Sequence, residues 1–145
     1  MSIFASTPPI DHARVVAAIS EAEQRTSGEV RVLVARQTTE DPVATARLHF
    51  ERLGMTKTEA RNGVLVYFAP RSRAFAIIGD TAVHEKCGAE FWSRVAAEME
   101  QRFRRGEFTE GLVQGIRQAG ELLAQHFPRR PDDRNELPDA IEGDL

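Results

Sequence analysis

Cysteine is nearly missing from this chain. Cys87 is the only one, so no internal disulfide can form, and a reducing compartment is expected. Residues 1–9 carry neither a basic start nor an apolar core of signal-peptide length. No stretch approaches the ~18 apolar residues of a membrane span. The longest apolar runs, residues 64–69 and 74–78, are strand-sized. An excess of positive charge is absent too: 19 Lys and Arg face 22 Asp and Glu, for a net charge of −3 and a pI near 5.8. That balance argues against a nucleic-acid binder, which carries a basic domain, and gives no support for attachment to anionic membranes. No Walker loop, Gly-x-Ser-x-Gly elbow, His-Glu-x-x-His helix or dinucleotide fingerprint occurs.

What is present is enough for one domain. At 145 residues the chain buries a sizeable core without a metal or disulfide staple. Thr7 and Pro8 read as an N-cap followed by proline at the first helical position. Val15, Ala18, Ile19 and Ala22 then recur at helical spacing until Ser27-Gly28. Residues 29–35 alternate as a strand, with Val30, Val32 and Val34 on one face and Leu33 and Ala35 on the other. Asp41-Pro42 opens a second helix whose stripe is Val43, Ala46, Phe50 and Leu53, with Gly54 as its stop. The continuous apolar run 64–69 predicts an interior strand covered on both faces. Residues 70–73 form a turn, and 74–78 return as a hairpin partner.

After Gly79-Asp80-Thr81 a helical region follows, with Phe91, Trp92, Val95, Met99 and Phe103 on its main apolar face. A last helix begins after Thr109. Leu112, Ile116, Ala119, Leu123 and Phe127 form its stripe, Gly111 and Gly115 allow close packing, and Pro128 ends it. The first two strands and the helix between them make a βαβ unit, hence a parallel pair. The expected fold is α/β: a three-layer α/β/α sandwich on a mixed sheet, with the third strand antiparallel. Residues 1–128 are read as one domain and 129–145 as an irregular acidic tail.

Several strings, taken together and in order, resemble the TPM domain: residues 21–32 (EAEQRTSGEVRV), 61–67 (RNGVLVY), 75–80 (FAIIGD), and the stretch from Phe103 to Leu123 around its Phe-Thr-Glu-Gly-Leu core. The resemblance covers roughly residues 7–127. The family includes thylakoid-lumen proteins linked to photosystem II repair, a membrane-anchored channel modulator and many bacterial proteins. Divalent-cation binding and acid phosphatase activity have been proposed for some of them. The usual bacterial form has a signal peptide and a transmembrane tail. Without either, this chain is similar to a shorter cytoplasmic branch ending in Asp132-Asp133-Arg134-Asn135-Glu136-Leu137-Pro138.

The topology collects polar residues at two ends of the sheet. Glu29 and Asn62 precede the two parallel strands, and Asp80 follows the antiparallel one, so all three share one edge. Two carboxylates and an amide oxygen suit a hard cation, Ca²⁺ or Mg²⁺. Asp132, Asp133 or Glu136 of the tail could add oxygens, or the tail is simply a solubilising end. The same residues also have a plainer reading: Asp80 as a helix cap, Asn62 as a turn residue, Glu29 as an exposed side chain. The opposite edge gathers Arg36, Arg71 and Arg73, able to hold phosphate or an acidic partner, or simply solvated turn residues. His84 and Cys87 share a helix face, but a chain with one cysteine lacks the usual four-ligand zinc set. No cap signal marks Cys87 as an activated nucleophile.

The expectation is a divalent-cation-binding, non-enzymatic module acting through a protein partner. The alternatives are a metal-dependent phosphatase, implied by the resemblance, and a scaffold that binds acidic partners through the arginine edge. Neither nucleic acid nor membrane insertion is expected.

Overall fold

A computed structural model of the chain describes residues 10–129 and 141–143. The elements in order are α1 (His12–Glu23), β1 (Val30–Val34), α2 (Pro42–Arg52), β2 (Val64–Ala69), β3 (Ala74–Gly79), α3 (Thr81–Cys87), α4 (Ala89–Arg104), α5 (Phe108–His126) and β4 (Ile141–Gly143). Single 3-10 turns stand at Met55–Lys57 and Pro70–Ser72.

The sheet order is β3-β2-β1-β4. β1 and β2 are parallel with Val30 opposite Val64, and β2 and β3 are antiparallel with Val64 opposite Gly79. This is the mixed sheet that the βαβ unit and hairpin predict. All residues of β1 and β2 are buried, as strands covered on both faces must be. One face, carrying Val30, Val32, Val34, Val64, Val66 and Phe68, packs against α1, α3, α4 and α5. The other, carrying Leu33, Leu65, Tyr67 and Ala76, packs against Ala46 and Phe50 of α2 and against Met55. The fold is therefore the expected three-layer sandwich.

Four details depart from the sequence reading. The α1 cap is Asp11, whose side chain accepts from Arg14 N; Thr7 and Pro8 lie outside the described residues. Val43 is 45% exposed and Leu48 69%, so the buried stripe of α2 is narrower than its apolar sequence. Gly88, at φ 75° and ψ 160°, divides what reads as one helical region into α3 and α4. Within the stretch read as irregular, Ile141–Gly143 pairs in parallel with Val32–Val34 of β1. The open edge of β1 offers unpaired backbone groups, and three residues suffice to meet them without any local strand signal.

α5 is the middle helix of its layer, and glycines let both neighbours approach. A Cβ at Gly111 would stand 2.5 Å from the Phe103 ring of α4. One at Gly120 would stand 2.7 Å from Ala22 Cβ and 3.3 Å from its Cα on α1. Ala22 has no flexible side chain to yield, so the helices themselves would have to part. Gly120→Ala gains up to about 1 kcal/mol of helix propensity. It should nonetheless lose about 1–3 kcal/mol to overpacking, read as a lower Tm and urea midpoint. An unchanged or raised midpoint would show that α1 and α5 separate freely.

Candidate functional site

The register brings the predicted residues to one end of the sheet. Val64 N donates to Glu29 O (2.7 Å) and Asp80 N donates to Gly63 O (2.9 Å). Glu29, the Asn62-Gly63 pair and Asp80 thus form one transverse row just outside the strands. All three polar residues are buried: Glu29 is 2% exposed, Asn62 1% and Asp80 5%. The reading of Glu29 as an exposed side chain is thereby corrected.

Each side chain is already engaged. Asn62 Nδ2 donates to Ser27 Oγ at 3.3 Å. Asp80 caps α3, its Oδ1 accepting from Thr81 N at 2.7 Å. It is also gripped by Arg61, whose Nε reaches Oδ2 at 2.7 Å and whose Nη2 reaches Oδ1 at 2.8 Å. This two-pronged pairing raises the Arg61 pKa above its already high usual value, mainly through the side-chain hydrogen bond to Asp80. Glu29 and Arg31 have interaction partners as well. The helix-cap reading of Asp80 and its placement on the predicted edge are both correct.

Sequence reasoning missed two further participants. Arg61 adopts φ 52°, an uncommon left-handed conformation for a non-glycine residue, on the way into β2. Its carbonyl accepts from Ala82 N at 3.2 Å, which ties it to the start of α3. Glu23, on the last turn of α1 and 3% exposed, accepts from Val30 N through Oε2 at 3.0 Å. The only available sequence signal was the Arg-Asn-Gly string itself, which marks a turn but not the partner of its arginine.

Oxygen donors of this type fit a hard cation. Among the described residues, however, no three His, Cys, Asp or Glu side chains gather closely enough to hold one. A site would therefore draw on Asn62, backbone carbonyls or water beside Glu29 and Asp80. Asp132, Asp133 and Glu136 lie outside the described residues. The described ends that bracket them are placed: Arg129 Nη1 donates to Glu23 O (2.7 Å), and Ile141 pairs with Val32.

At the other end, Arg36, Arg71 and Arg73 are exposed. The loop after β1 is tied to the hairpin turn by Thr39 N donating to Ser72 Oγ at 2.8 Å. His84 and Glu85 are exposed on α3. Cys87 is partly buried against the larger core, and burial pushes its thiol pKa up, with Lys86 opposing.

The comparisons with known proteins bear on the family and the fold. The family model of the TPM domain matches residues 8–122. The chain belongs to the TPM-domain family. No curated protein matches it. Among solved structures, this TPM domain is similar to the NMR structure of the BA42 protein from the psychrophilic bacterium Bizionia argentinensis. The two are 37% identical over 91% of each chain, with a TM-score of 0.84. No helix among the described residues is long and apolar enough to cross a membrane.

Two outcomes follow. Asp80→Ala removes both the α3 cap and the partner of Arg61, and should cost at least the about 0.5–2 kcal/mol of a lost cap. Asp80→Asn keeps an acceptor for Thr81 N and should cost less than half as much, as measured by urea unfolding. Cys87 should react with iodoacetamide more slowly in the folded protein than in urea at the same pH, because the raised pKa leaves less thiolate. Equal rates would contradict its burial.

Proposed function

We propose that this TPM domain binds a divalent cation, Ca²⁺ or Mg²⁺, at the end of the sheet formed by Glu29, Asn62 and Asp80, and acts through a protein partner. The observation that carries the reading is the transverse row itself. Three strands bring two carboxylates level with Gly63 at one end of the sheet, with the Asn62 amide one residue further out, and Glu29, Asn62 and Asp80 are at most 5% exposed. Burying carboxylates is costly unless positive charge or hydrogen bonds compensate them, so their collection at one end supports a role in holding positive charge.

Within this reading the backbone does the positioning. Glu29 and Gly63 are fixed by the β1–β2 ladder, and Asp80 by its N–H to Gly63 O and by the α3 cap. Glu29, Asn62 and Asp80 would hold the cation, which would supply charge neutralisation to the two carboxylates. The chain's own residues hold the oxygen donors in place. Partner binding would then read the surface around this end.

Titration calorimetry with CaCl₂ and with MgCl₂ on the whole chain tests the proposal. Saturable binding is expected for at least one of the two. Asp80→Asn should weaken it about tenfold or more, as loss of a charge-assisted contact worth roughly 1.5–3 kcal/mol implies, while its apo unfolding midpoint falls by less than that of Asp80→Ala. No saturable heat for either ion would refute the proposal, as would wild-type affinity in Asp80→Asn. Hydrolysis of a phosphomonoester that depends on the added ion and vanishes in Asp80→Asn would replace the non-enzymatic part of the reading with a metal-dependent phosphatase.

A further inference from the structure

We propose that Arg61 is a built-in competitor for the cation: its guanidinium neutralises Asp80 in the empty domain and must leave that carboxylate when the ion binds. The inference rests on the cation reading above and adds to it how the site is regulated. The first observation is the pairing itself. Both Asp80 oxygens accept from Arg61, at 2.7 and 2.8 Å, and Oδ1 also caps Thr81. An ion using Asp80 must displace a guanidinium or stand beside it against like-charge repulsion, and displacement avoids the repulsion.

The second observation is an asymmetry. The Asp80 side chain is 4% exposed, whereas that of Arg61 is 46% exposed. The carboxylate is enclosed and its guanidinium is the solvent-facing partner. Asp80 cannot follow Arg61 outward. Its N–H is bonded to Gly63 O, and its carbonyl accepts from Val83 N (3.0 Å) and His84 N (3.1 Å). Arg61 can swing into water from Cβ onward without moving any of these bonds.

The third observation is the backbone of Arg61. At φ 52° a glycine would be less strained, yet an arginine stands there. Arg61 N donates to Thr58 O (3.3 Å) and Arg61 O accepts from Ala82 N (3.2 Å), so the main chain is held on both sides and the side chain is aimed at Asp80. The arrangement keeps the empty domain folded without an ion and lowers apparent affinity by the fraction of molecules in which Asp80 is free. Exchange also turns a paired arginine into a free surface cation, which presents different charge to a partner in the loaded state.

The test uses the whole chain with CaCl₂ or MgCl₂ alone as the probe. Arg61→Gly suits the left-handed backbone and removes the guanidinium. It should bind the ion about tenfold tighter or better, the inverse of the free fraction, and Arg61→Lys should fall between it and wild type. Apo Arg61→Gly should melt lower than wild type, and the ion should raise its Tm by more than it raises that of wild type, whereas a purely structural arginine would leave the two shifts equal. In wild type, the Arg61 Nε–H NMR resonance should move from its ion-paired position as the ion is added. That readout decides the matter if Arg61→Gly does not fold. Wild-type binding with an unmoved Arg61 resonance, or unchanged or weaker binding in a folded Arg61→Gly, overturns the competitor and leaves the cation site standing. No binding in wild type overturns both, whatever Arg61→Gly does.

Discussion

The pairing of β1 with β2 is the constraint on which the remaining structure depends. Five consecutive registered pairs, from Val30 with Val64 to Val34 with Phe68, fix two fully buried strands side by side. Strand side chains alternate, so this register sends the valines to the four-helix layer and Leu33, Leu65 and Tyr67 to α2. A slip of one residue would reverse every one of these assignments. The same register sets Glu29 against Gly63, and the antiparallel register of β3 then sets Asp80 there too. The polar row is a by-product of apolar strand pairing, which explains why its backbone is so firmly held.

Much of this was legible because the strands are strongly patterned. The run of residues 64–69 has no polar interruption, and a short turn separates it from its partner, so hairpin and βαβ unit left little freedom. Helix starts were legible where cap and proline coincide: Asp41 accepts from Ala44 N and Pro42 follows it. They were less legible at α1. Asp11 takes the cap there, and its N–H donates to Thr109 Oγ1 at 2.9 Å, a tertiary contact nearly a hundred residues away that no local rule supplies. The strand β4 was not legible for a similar reason. Its stability comes from the waiting edge of β1 and not from its own three residues.

The site divides along the same line. That Glu29, Asn62 and Asp80 share an end follows from strand direction alone. How each is neutralised does not, because hydrogen-bond partners depend on dihedral angles and side-chain reach. Arg61 lies one residue from Asn62 in sequence, but only its left-handed backbone turns the guanidinium toward a carboxylate 19 residues onward. Glu23 reaches Val30 N for a comparable reason: the turn after α1 brings the helix end back over the start of β1.

The place of β4 in chain order has a consequence for biosynthesis. It follows all five helices, so among the described elements it is the last to leave the ribosome. Until it arrives, β1 has one bonded flank, against β2, and one row of unsatisfied amides and carbonyls. A nascent chain in that condition can accept a strand from a neighbour in place of its own. The interval between synthesis of α5 and of residues 141–143 is therefore when this domain is most exposed to mispairing.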